Sequence, residues 1–422
     1  MGKNNSCSDN LNDDKSLLFT SFVYLGNRVL GLPLWCLVNL LAFILYKNMH
    51  ITPLQITLII ALKPASSLLA PYWSQIIYQR QDRIVQHLIW TNILRYTPFI
   101  LLPWLDSAWY IIMAFTLNVM LFRASIPSWM EIIKCNLSKK DRETTLGYGC
   151  MIDYIGAAFL TLILGVIMDS YPDIWRWLFM GTACVGLSST LFISRLPTEK
   201  LIALNDTAPV NKQFSLKEQI FNPWKQSWRL ICERPDFRSF QIGFMLGGGG
   251  LMIMQPALPA FFVDILKLSY AEMGLALAVC KGIGCGLTSQ LWTKLFQRVN
   301  IFYFSGLVTL LAGLFSLLIM IAPLHITLLY LAYVLYGIMQ AGSEFSWHIS
   351  GMVFSKDKDS SVFSSTNVLT QGLRGCVIPA LGAGFLPLIN SSGVMLLGGL
   401  LCFCATGYLM KYSRSAQSVE AK

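Results

Sequence analysis

Long apolar runs, separated by short polar turns, occupy most of the chain. A helix that crosses a bilayer needs about 20 predominantly apolar residues, and the runs that approach or exceed this length are 18–46, 52–78, 84–104, 108–132, 145–168, 174–195, 238–263, 270–293, 300–322, 325–353, 362–388 and 392–411. One long polar stretch, 196–237, separates the first six runs from the last six. The pattern therefore predicts an all-α membrane protein with twelve transmembrane helices in two six-helix bundles.

The polar segments set the predicted domain boundaries. These are a cytoplasmic N-terminal tail at 1–17, a six-helix bundle at 18–195, a cytoplasmic linker at 196–237, a second six-helix bundle at 238–411 and a cytoplasmic tail at 412–422. In the second half of the linker, Phe, Trp and Leu alternate with basic residues, which is typical of an amphipathic helix along a membrane surface. The first apolar run is too long for a signal peptide, so we expect it to remain as the first span.

Composition agrees with a chain that faces lipid. Hydrophobic residues make up 55% and charged residues 13%, with a mean hydropathy of +0.55, whereas soluble domains carry about 25% charged residues. A net charge of +10 can indicate a nucleic-acid partner. Here the basic residues collect in alternate loops, and the loops of the opposite side contain only Lys47, Arg176 and Lys267. By the positive-inside rule both termini are cytoplasmic, and this topology explains the charge without a nucleic acid.

Two sequence phrases recur in the second half of the chain. PYWSQIIYQRQDR (71–83) is echoed by QLWTKLFQRVN (290–300), and PSWMEIIKCNLSKKDRE (127–143) is echoed by FSWHISGMVFSKDKDS (345–360). The offsets of 217 to 219 residues indicate a duplicated, pseudo-symmetric six-helix unit. Parallel repeats of this kind are typical of one class of transporters, whose substrate binds near the membrane midplane between the halves.

The loops that contain the first pair of phrases resemble a gating motif of the major facilitator superfamily. The family pattern is Gly-x-x-x-Asp-Arg-x-Gly-Arg, and the corresponding positions here are Ser74, Tyr78, Gln79 and Gln81, then Thr293, Gln297, Arg298 and Asn300. The glycines and acids are missing. Basic residues remain, and the gating residues implied by the resemblance are Arg80, Arg83 and Arg298. Arg123 in LFRASIPSW is similar to an arginine that the family has in span four.

This resemblance covers nearly the whole chain and implies a secondary transporter, a symporter or antiporter that works by alternating access. The phrases AGSEFSWH and SIPSWM are similar to an uncharacterised bacterial subgroup of the superfamily. We therefore expect a functional monomer in the lipid bilayer of a bacterial inner (cytoplasmic) membrane. Its partners are a small-molecule substrate and a proton or counter-solute.

Charged residues inside the predicted spans point to the substrate class. A charge at the bilayer centre costs about 3 kcal/mol on insertion scales, so such residues are expected to face the bundle interior. The basic ones are Arg28, Lys63, Arg95, Arg123, Lys281 and Arg374, and the clearly internal acidic ones are Asp153 and Glu344. The excess of cations predicts an anionic substrate, because guanidinium groups bind carboxylate or phosphate through two hydrogen bonds. Alternatively, these residues pair with one another or with helix-end carbonyls.

The predicted site combines polar residues of several spans. The substrate-binding candidates are Arg28, Arg123, Asn27, Asn118, Gln255 and Trp347. For proton coupling the candidates are Glu344, expected to be buried among apolar side chains, together with Asp153 and His348. A fixed ion pair for Glu344 and a core hydrogen bond for His348 are the alternatives. Span seven, with the phrase GFMLGGGGLMIMQPALP, is expected to bend or to pack closely against its neighbours.

Nothing in the sequence indicates catalysis. The chain has 4 histidines and no HExxH, GxSxG, P-loop or GxGxxG motif. Its 11 cysteines are scattered without metal-ligand spacing, so reduced core thiols are expected. The prediction is no enzyme, no cofactor and no metal, with transport driven by an ion or substrate gradient. Two other functions stay open: a multidrug or amphiphile efflux transporter, and a non-transporting membrane sensor.

Overall fold

The structure, a computed structural model, describes residues 5–69, 83–196, 216–355 and 361–420. Helices account for nearly all of these residues, and none of them forms a β-strand. The helices are α1 (Asn5–Met49), α2 (Pro53–Leu68), α3 (Ile84–Ile100), α4 (Ala108–Asn136), α5 (Lys139–Met151), α6 (Ala157–Ser170), α7 (Trp175–Ile193), α8 (Leu216–Glu233), α9 (Pro235–Met254), α10 (Tyr270–Gly274), α11 (Lys281–Phe296), α12 (Ile301–Ile321), α13 (Ile326–Ser355) and α14 (Ser361–Glu420). The predicted all-α class is confirmed.

Within the described ranges, 9 helical stretches are long and apolar enough to cross a membrane. One of them, Ser365–Arg414, contains a break at Asn390, where φ is 58° and the helix is interrupted. It therefore holds two successive helices, as the sequence predicts. Two further predicted spans correspond to the shorter helices α2 and α3. The observed elements are consistent with twelve membrane-spanning helices.

Three segments have the wider π-helical turn. They are Ile152–Gly156 between α5 and α6, Phe261–Ile265 after α9, and Leu275–Cys280 between α10 and α11. A π-helical turn changes the direction in which the following side chains point, and such turns are frequent at functional sites. Two charged residues that the sequence singled out lie at them: Asp153 inside the first and Lys281 directly after the third.

The described chain forms two compact units. The first comprises residues 1–39 with 69–213, and the second comprises residues 40–68 with 214–422. The last turns of α1 therefore belong to the second unit. There Lys47 donates a hydrogen bond to the carbonyl of Leu268 at 3.0 Å. Asn48 likewise donates to the hydroxyl of Tyr270 at 2.6 Å.

Each unit has its own apolar core. In the first, buried side chains from α1, α3, α4 and α7 pack together: Val23, Tyr24, Ile84, Val85, Leu88, Trp129, Ile132, Ile133 and Ile193. In the second, one core cluster is largely aromatic and contains Phe237, Phe240, Phe302, Phe354 and Phe363. Helices that supply side chains to such clusters are held together by burial of apolar area, at about 25 cal/mol per Å².

The helix predicted in the second half of the linker is α8. Its Leu230 and Ile231 pack against the aromatic cluster of the second unit, and Ser227 accepts a hydrogen bond from Thr366 at 3.0 Å. Its other face exposes Phe221 and Trp228. One face is thus anchored to protein, while the aromatic side chains of the other suit the headgroup region of a bilayer. Its position on a membrane surface stays a prediction.

The sequence repeat has a structural counterpart. His87 Nδ1 and Ser128 Oγ lie 3.1 Å apart in the first unit. In the second unit, Ser305 Oγ and Ser346 Oγ lie 2.7 Å apart. Each pair joins residues that are 41 positions apart, and the two pairs have the spacing of the repeated phrases. The same polar contact thus joins equivalent helices, α3 to α4 and α12 to α13.

Candidate functional site

An arginine and a carboxylate that are distant in sequence form an ion pair in the first unit. Arg28 lies on α1, and Asp153 lies in the π-helical segment between α5 and α6. Arg28 Nη1 donates to Asp153 Oδ2 at 2.5 Å, and Arg28 Nη2 donates to the hydroxyl of Tyr24 at 2.8 Å. Both charged side chains are partly exposed. Two residues with separately predicted roles, substrate binding and proton coupling, therefore act on each other.

An aromatic pair recurs in both units. The ring centroids of Tyr24 and Trp129 are 5.4 Å apart in the first unit. Those of Phe244 and Trp347 are 6.1 Å apart in the second. Trp129 and Trp347 follow the two serines of the repeated polar contact. The substrate-binding candidate Trp347 is therefore half-buried against an aromatic ring, as its counterpart Trp129 also contacts one, although the interplanar angles are 33° and 70°.

Arg95 on α3 is a buried cation that has no acidic partner among the described residues. Its Cζ lies 4.9 Å from the ring centroid of Tyr96 and 4.8 Å from that of Phe122. Only 6% of the residue is exposed, and its Nε has no hydrogen-bond partner among the described residues. Arg28 lies close enough for the two positive charges to repel. Sequence reasoning did not include Arg95 in the site, and its intramembrane charge was the only signal for it.

Arg123 on α4 is a second cation that lacks a partner. The residue is exposed, although protein atoms also lie around its guanidinium group. Arg123 makes no hydrogen bond or ion pair in the part of the chain that the structure describes. Within the described residues, Asp153 pairs with Arg28, whereas neither Arg95 nor Arg123 forms an ion pair. Two arginines of this unit therefore lack a compensating carboxylate there.

The two predicted asparagines have different environments. Asn27 Oδ1 accepts hydrogen bonds from Asn92 Nδ2 at 3.2 Å and from Ser189 Oγ at 2.9 Å. It therefore bridges α1, α3 and α7, and its carbonyl is occupied by protein donors. Asn118 on α4 is 1% exposed, and neither atom of its amide has a partner within the described residues. Both amide atoms of Asn118 are therefore unpaired within the described residues, unlike the carbonyl of Asn27.

The expectation that Glu344 is buried among apolar side chains is wrong, because its side chain is exposed. Gln340, one turn earlier on α13, donates to Glu344 Oε1 at 2.9 Å. The helix packs onto α12 through Ser346, which contacts Ser305. Residues two positions apart on a helix point in nearly opposite directions. Because Ser346 points toward α12, Glu344 points away from α12, on an exposed face of α13.

Lys281 is the cation that acts on Glu344. Its Nζ lies 5.3 Å from the ring centroid of Tyr336 and is subject to the electrostatic attraction of Glu344. The two groups form no ion pair, and no other cation within the described ranges forms one with Glu344. Gln255 is half-buried at the start of the 3-10 turn Gln255–Ala257. The side chain of His348 lies outside the described part of the structure.

The glycine run of span seven accommodates an arginine. Arg374 on α14 is 6% exposed; its Nη1 donates to the carbonyl of Phe244 at 2.8 Å, and its Cζ lies 5.5 Å from the Phe244 ring. A Cβ atom on Gly248 would overlap this guanidinium group, whereas a Cβ on Gly249 would meet nothing within 4 Å. Close packing against Arg374 therefore favours a residue without a side chain at position 248, whereas position 249 has space for a Cβ atom.

We expect Gly248→Ala to destabilise the protein by about 1 kcal/mol or more, because Arg374 must move and lose its hydrogen bond to Phe244. Gly249→Ala is the matched control, and its stability is expected to equal or exceed that of the wild type. Thermal unfolding of the two purified variants measures the difference. Equal melting temperatures would contradict the assignment of Gly248 to arginine packing.

Part of the predicted gate can be described. Arg80 and the first phrase up to residue 82 lie outside the described residues, while Arg83 and Arg298 are described and exposed. In the second copy, Trp292 Nε1 donates to the carbonyl of Ile338 at 2.8 Å. The side chain of Asn300 caps α12 by accepting from the backbone N–H of Tyr303 at 2.8 Å. Two residues of the repeated phrase thus have local structural roles.

Comparison with known proteins gives a consistent result. A family model described as Major Facilitator Superfamily matches residues 17–379. The solved structure of the nucleoside transporter NupG is similar to this chain with a TM-score of 0.72 and 12% identity, covering 94% of this chain and 98% of that one.

Peptide transporters also share the fold. A POT family transporter in complex with a thioalcohol-conjugated peptide has a TM-score of 0.65 and 15% identity, over 95% of this chain and 96% of that one. An auto-inhibited POT family peptide transporter has a TM-score of 0.68 and 12% identity, over 95% and 97%. No curated protein sequence matches the chain. The chain belongs to the major facilitator superfamily and is an integral membrane transporter, not an enzyme.

Proposed function

We propose that this secondary transporter moves a small anionic solute. The observation that carries the proposal is that, among the described residues of the first unit, neither Arg95 nor Arg123 has an acidic partner. A charge in a low-dielectric interior is costly unless an opposite charge or hydrogen bonds compensate it. An anionic solute would supply both the opposite charge and the hydrogen-bond acceptors.

The accessible cation of the site is Arg123, and it supplies the first contact with the solute. Its guanidinium can donate two parallel hydrogen bonds to a carboxylate or phosphate. Arg28 contributes less directly, because Asp153 and Tyr24 already occupy its two Nη groups. We assign Arg28 and Asp153 to a polar contact that holds α1 beside the π-helical segment and keeps one charge of the site balanced.

The energy source in this proposal is a proton gradient or a counter-solute. Glu344 is accessible, has no ion-pair partner in the described ranges and lies near the positive charge of Lys281. We therefore assign the proton-coupling role in this proposal to Glu344. Both termini would face the cytoplasm of a bacterial cell, according to the positive-inside rule, and the protein would act as a monomer.

Reconstituted uptake tests the function. Purified full-length protein is placed in liposomes and supplied with labelled anionic, neutral and cationic metabolites, with and without a pH gradient. We expect time-dependent accumulation of one class of anions and none in protein-free liposomes. Uptake restricted to neutral or cationic solutes would overturn the anionic assignment while leaving the transporter assignment in place.

Glu344→Gln is expected to abolish accumulation that is driven by a pH gradient, because glutamine cannot bind and release a proton. Exchange of solute down its own gradient should continue. Glu233→Gln is the control, since Glu233 is exposed at the end of α8, where it accepts from Arg229 at 2.6 Å. If Glu344→Gln still accumulates solute in response to the pH gradient, Glu344 does not carry the coupled proton.

A further inference from the structure

Two polar side chains in the first unit are almost fully buried and lack partners. Arg95 is 6% exposed with its Nε unpaired, and Asn118 is 1% exposed with both amide atoms unpaired, as far as the described residues show. The buried hydroxyl of Tyr96 also has no partner there. We call Arg95, Tyr96, Asn118 and Phe122 the Arg95–Asn118 corner. Native proteins rarely leave so many buried polar atoms unpaired in one place.

The arrangement of the helices brings these groups together. Asn118 and Phe122 are four residues apart on α4, so they lie on the same face of the helix. The guanidinium of Arg95 lies on the ring of Phe122, with Cζ 4.8 Å from its centroid. On α1, Trp35 packs against Phe122 with ring centroids 5.1 Å apart. Asn118 therefore lies one helical turn before the aromatic ring that the guanidinium of Arg95 contacts.

Among the described residues, no acidic side chain forms an ion pair with Arg95. The carboxylate of Asp153 already accepts from Arg28 at 2.5 Å, and that of Glu131 on α4 pairs with Lys134 at 3.4 Å. The positive charge of Arg28 lies near Arg95 and repels it further. The cost of burying an unpaired charge falls when an anion from outside the protein occupies the site.

The donors and acceptors define the chemistry of the ligand. A guanidinium only donates hydrogen bonds, whereas an amide both donates, through Nδ2, and accepts, through Oδ1. A matching ligand has anionic oxygens for Arg95 and Asn118 Nδ2, and a hydrogen-bond donor for Asn118 Oδ1. Hydroxycarboxylates and hydrogen phosphate have both features. Unsubstituted carboxylates and sulfate have only the first.

We propose that the Arg95–Asn118 corner binds the anionic group of the transported solute and selects oxyanions that carry a hydrogen-bond donor. The proposal rests on the anionic substrate proposed above and adds its recognition chemistry. Sites that pair a buried acceptor with a ligand donor reject analogues that lack the donor, because the acceptor would otherwise stay unsatisfied.

Two matched pairs of anions test this selectivity. Malate carries a hydroxyl group that succinate lacks. Hydrogen phosphate and sulfate are both tetrahedral dianions, but only hydrogen phosphate carries an O–H donor. We expect the purified full-length protein to bind one or both donor-bearing anions about 10-fold more tightly than their partners, as measured by isothermal titration calorimetry. One hydrogen bond of this kind is worth about a factor of 10.

Three variants test whether the selectivity arises from the Arg95–Asn118 corner. Asn118→Leu is expected to erase the preference within each pair while anions still bind. Arg95→Met is expected to weaken all anions about 10-fold or more without lowering the melting temperature of the ligand-free protein, since it removes a charge that lacks compensation. Arg374→Met is the control, because Arg374 is equally buried but has a backbone partner in the second unit. It should leave the affinities and both ratios unchanged.

The possible failures are distinguishable. If the wild type binds and transports anions but prefers neither donor-bearing anion, or if Arg95→Met and Asn118→Leu keep its affinities and ratios, the corner is structural and the inference is overturned. If the wild type binds and transports no anion at all, the proposed function fails as well.

Discussion

Replacing Arg123 with glutamine is expected to reduce uptake of an anionic solute by about 100-fold while the protein still folds and inserts. Arg123 is accessible and has no partner in the described part of the chain, so its loss leaves no protein group unsatisfied. Two charge-assisted hydrogen bonds of about 1.5 kcal/mol each correspond to about 100-fold in affinity. Initial uptake rates in liposomes, at matched amounts of inserted protein, measure the effect.

The matched control for this experiment is Arg176→Gln. Arg176 belongs to the same unit, but it pairs with Asp106 in a loop region and its Cζ lies 5.0 Å from the ring of Trp175. Uptake by this variant should stay close to that of the wild type. If Arg123→Gln transports anions at the wild-type rate, Arg123 has no contact with the solute and the first step of the proposed recognition is wrong.

Gly284→Ala is expected to destabilise the second unit by about 3 kcal/mol or more. A Cβ atom on Gly284 of α11 would overlap the backbone carbonyl of Val334 on α13. A Cβ on Gly337 would in turn overlap the carbonyl of Lys281. Small residues let two helices approach closely in a membrane. Backbone atoms cannot rotate away as a side chain can, so the two helices must separate, and overpacking of this kind typically costs 1–3 kcal/mol or more.

Two neighbours on the same helix serve as controls. Gly282 and Gly286 flank Gly284 on α11, and a Cβ on either of them would meet nothing within 4 Å. Their alanine variants should unfold at the wild-type temperature or above it. Thermal unfolding followed by fluorescence-detected size exclusion gives the comparison. Equal stability of all three variants would show that α11 and α13 do not pack through Gly284.

The existence and extent of the helices could be predicted because their causes are local. In lipid every backbone N–H and C=O must be paired within the protein, so an apolar stretch of sufficient length forms a helix whatever its neighbours are. Even the division of the last long helical stretch at Asn390 could be anticipated, because polar residues interrupt the apolar run there. The predicted excess of intramembrane cations also follows directly from counting residues within spans.

The use of individual polar residues could not be predicted in the same way. Asn27 and Asn118 have the same side chain and comparable positions within predicted spans, yet one is occupied by Asn92 and Ser189 and the other has no partner among the described residues. Glu344 was expected inside and is exposed. These outcomes depend on how each helix is rotated about its axis and on which side chains the neighbouring helices place against it. Neither can be deduced from the length or polarity of a span.

By itself, the sequence determined that this protein is an all-α membrane transporter with a duplicated architecture, and it predicted an excess of cations within the spans. Apolar length, loop charge and repetition are properties of the sequence alone, so they can be recognised without knowing which residues are in contact. Only the tertiary structure decided which of the charges are already paired: Asp153 neutralises Arg28, while Arg95 and Arg123 have no acid partner in the described residues. A charge interacts over a few ångströms, and only the packing of helices sets distances on that scale.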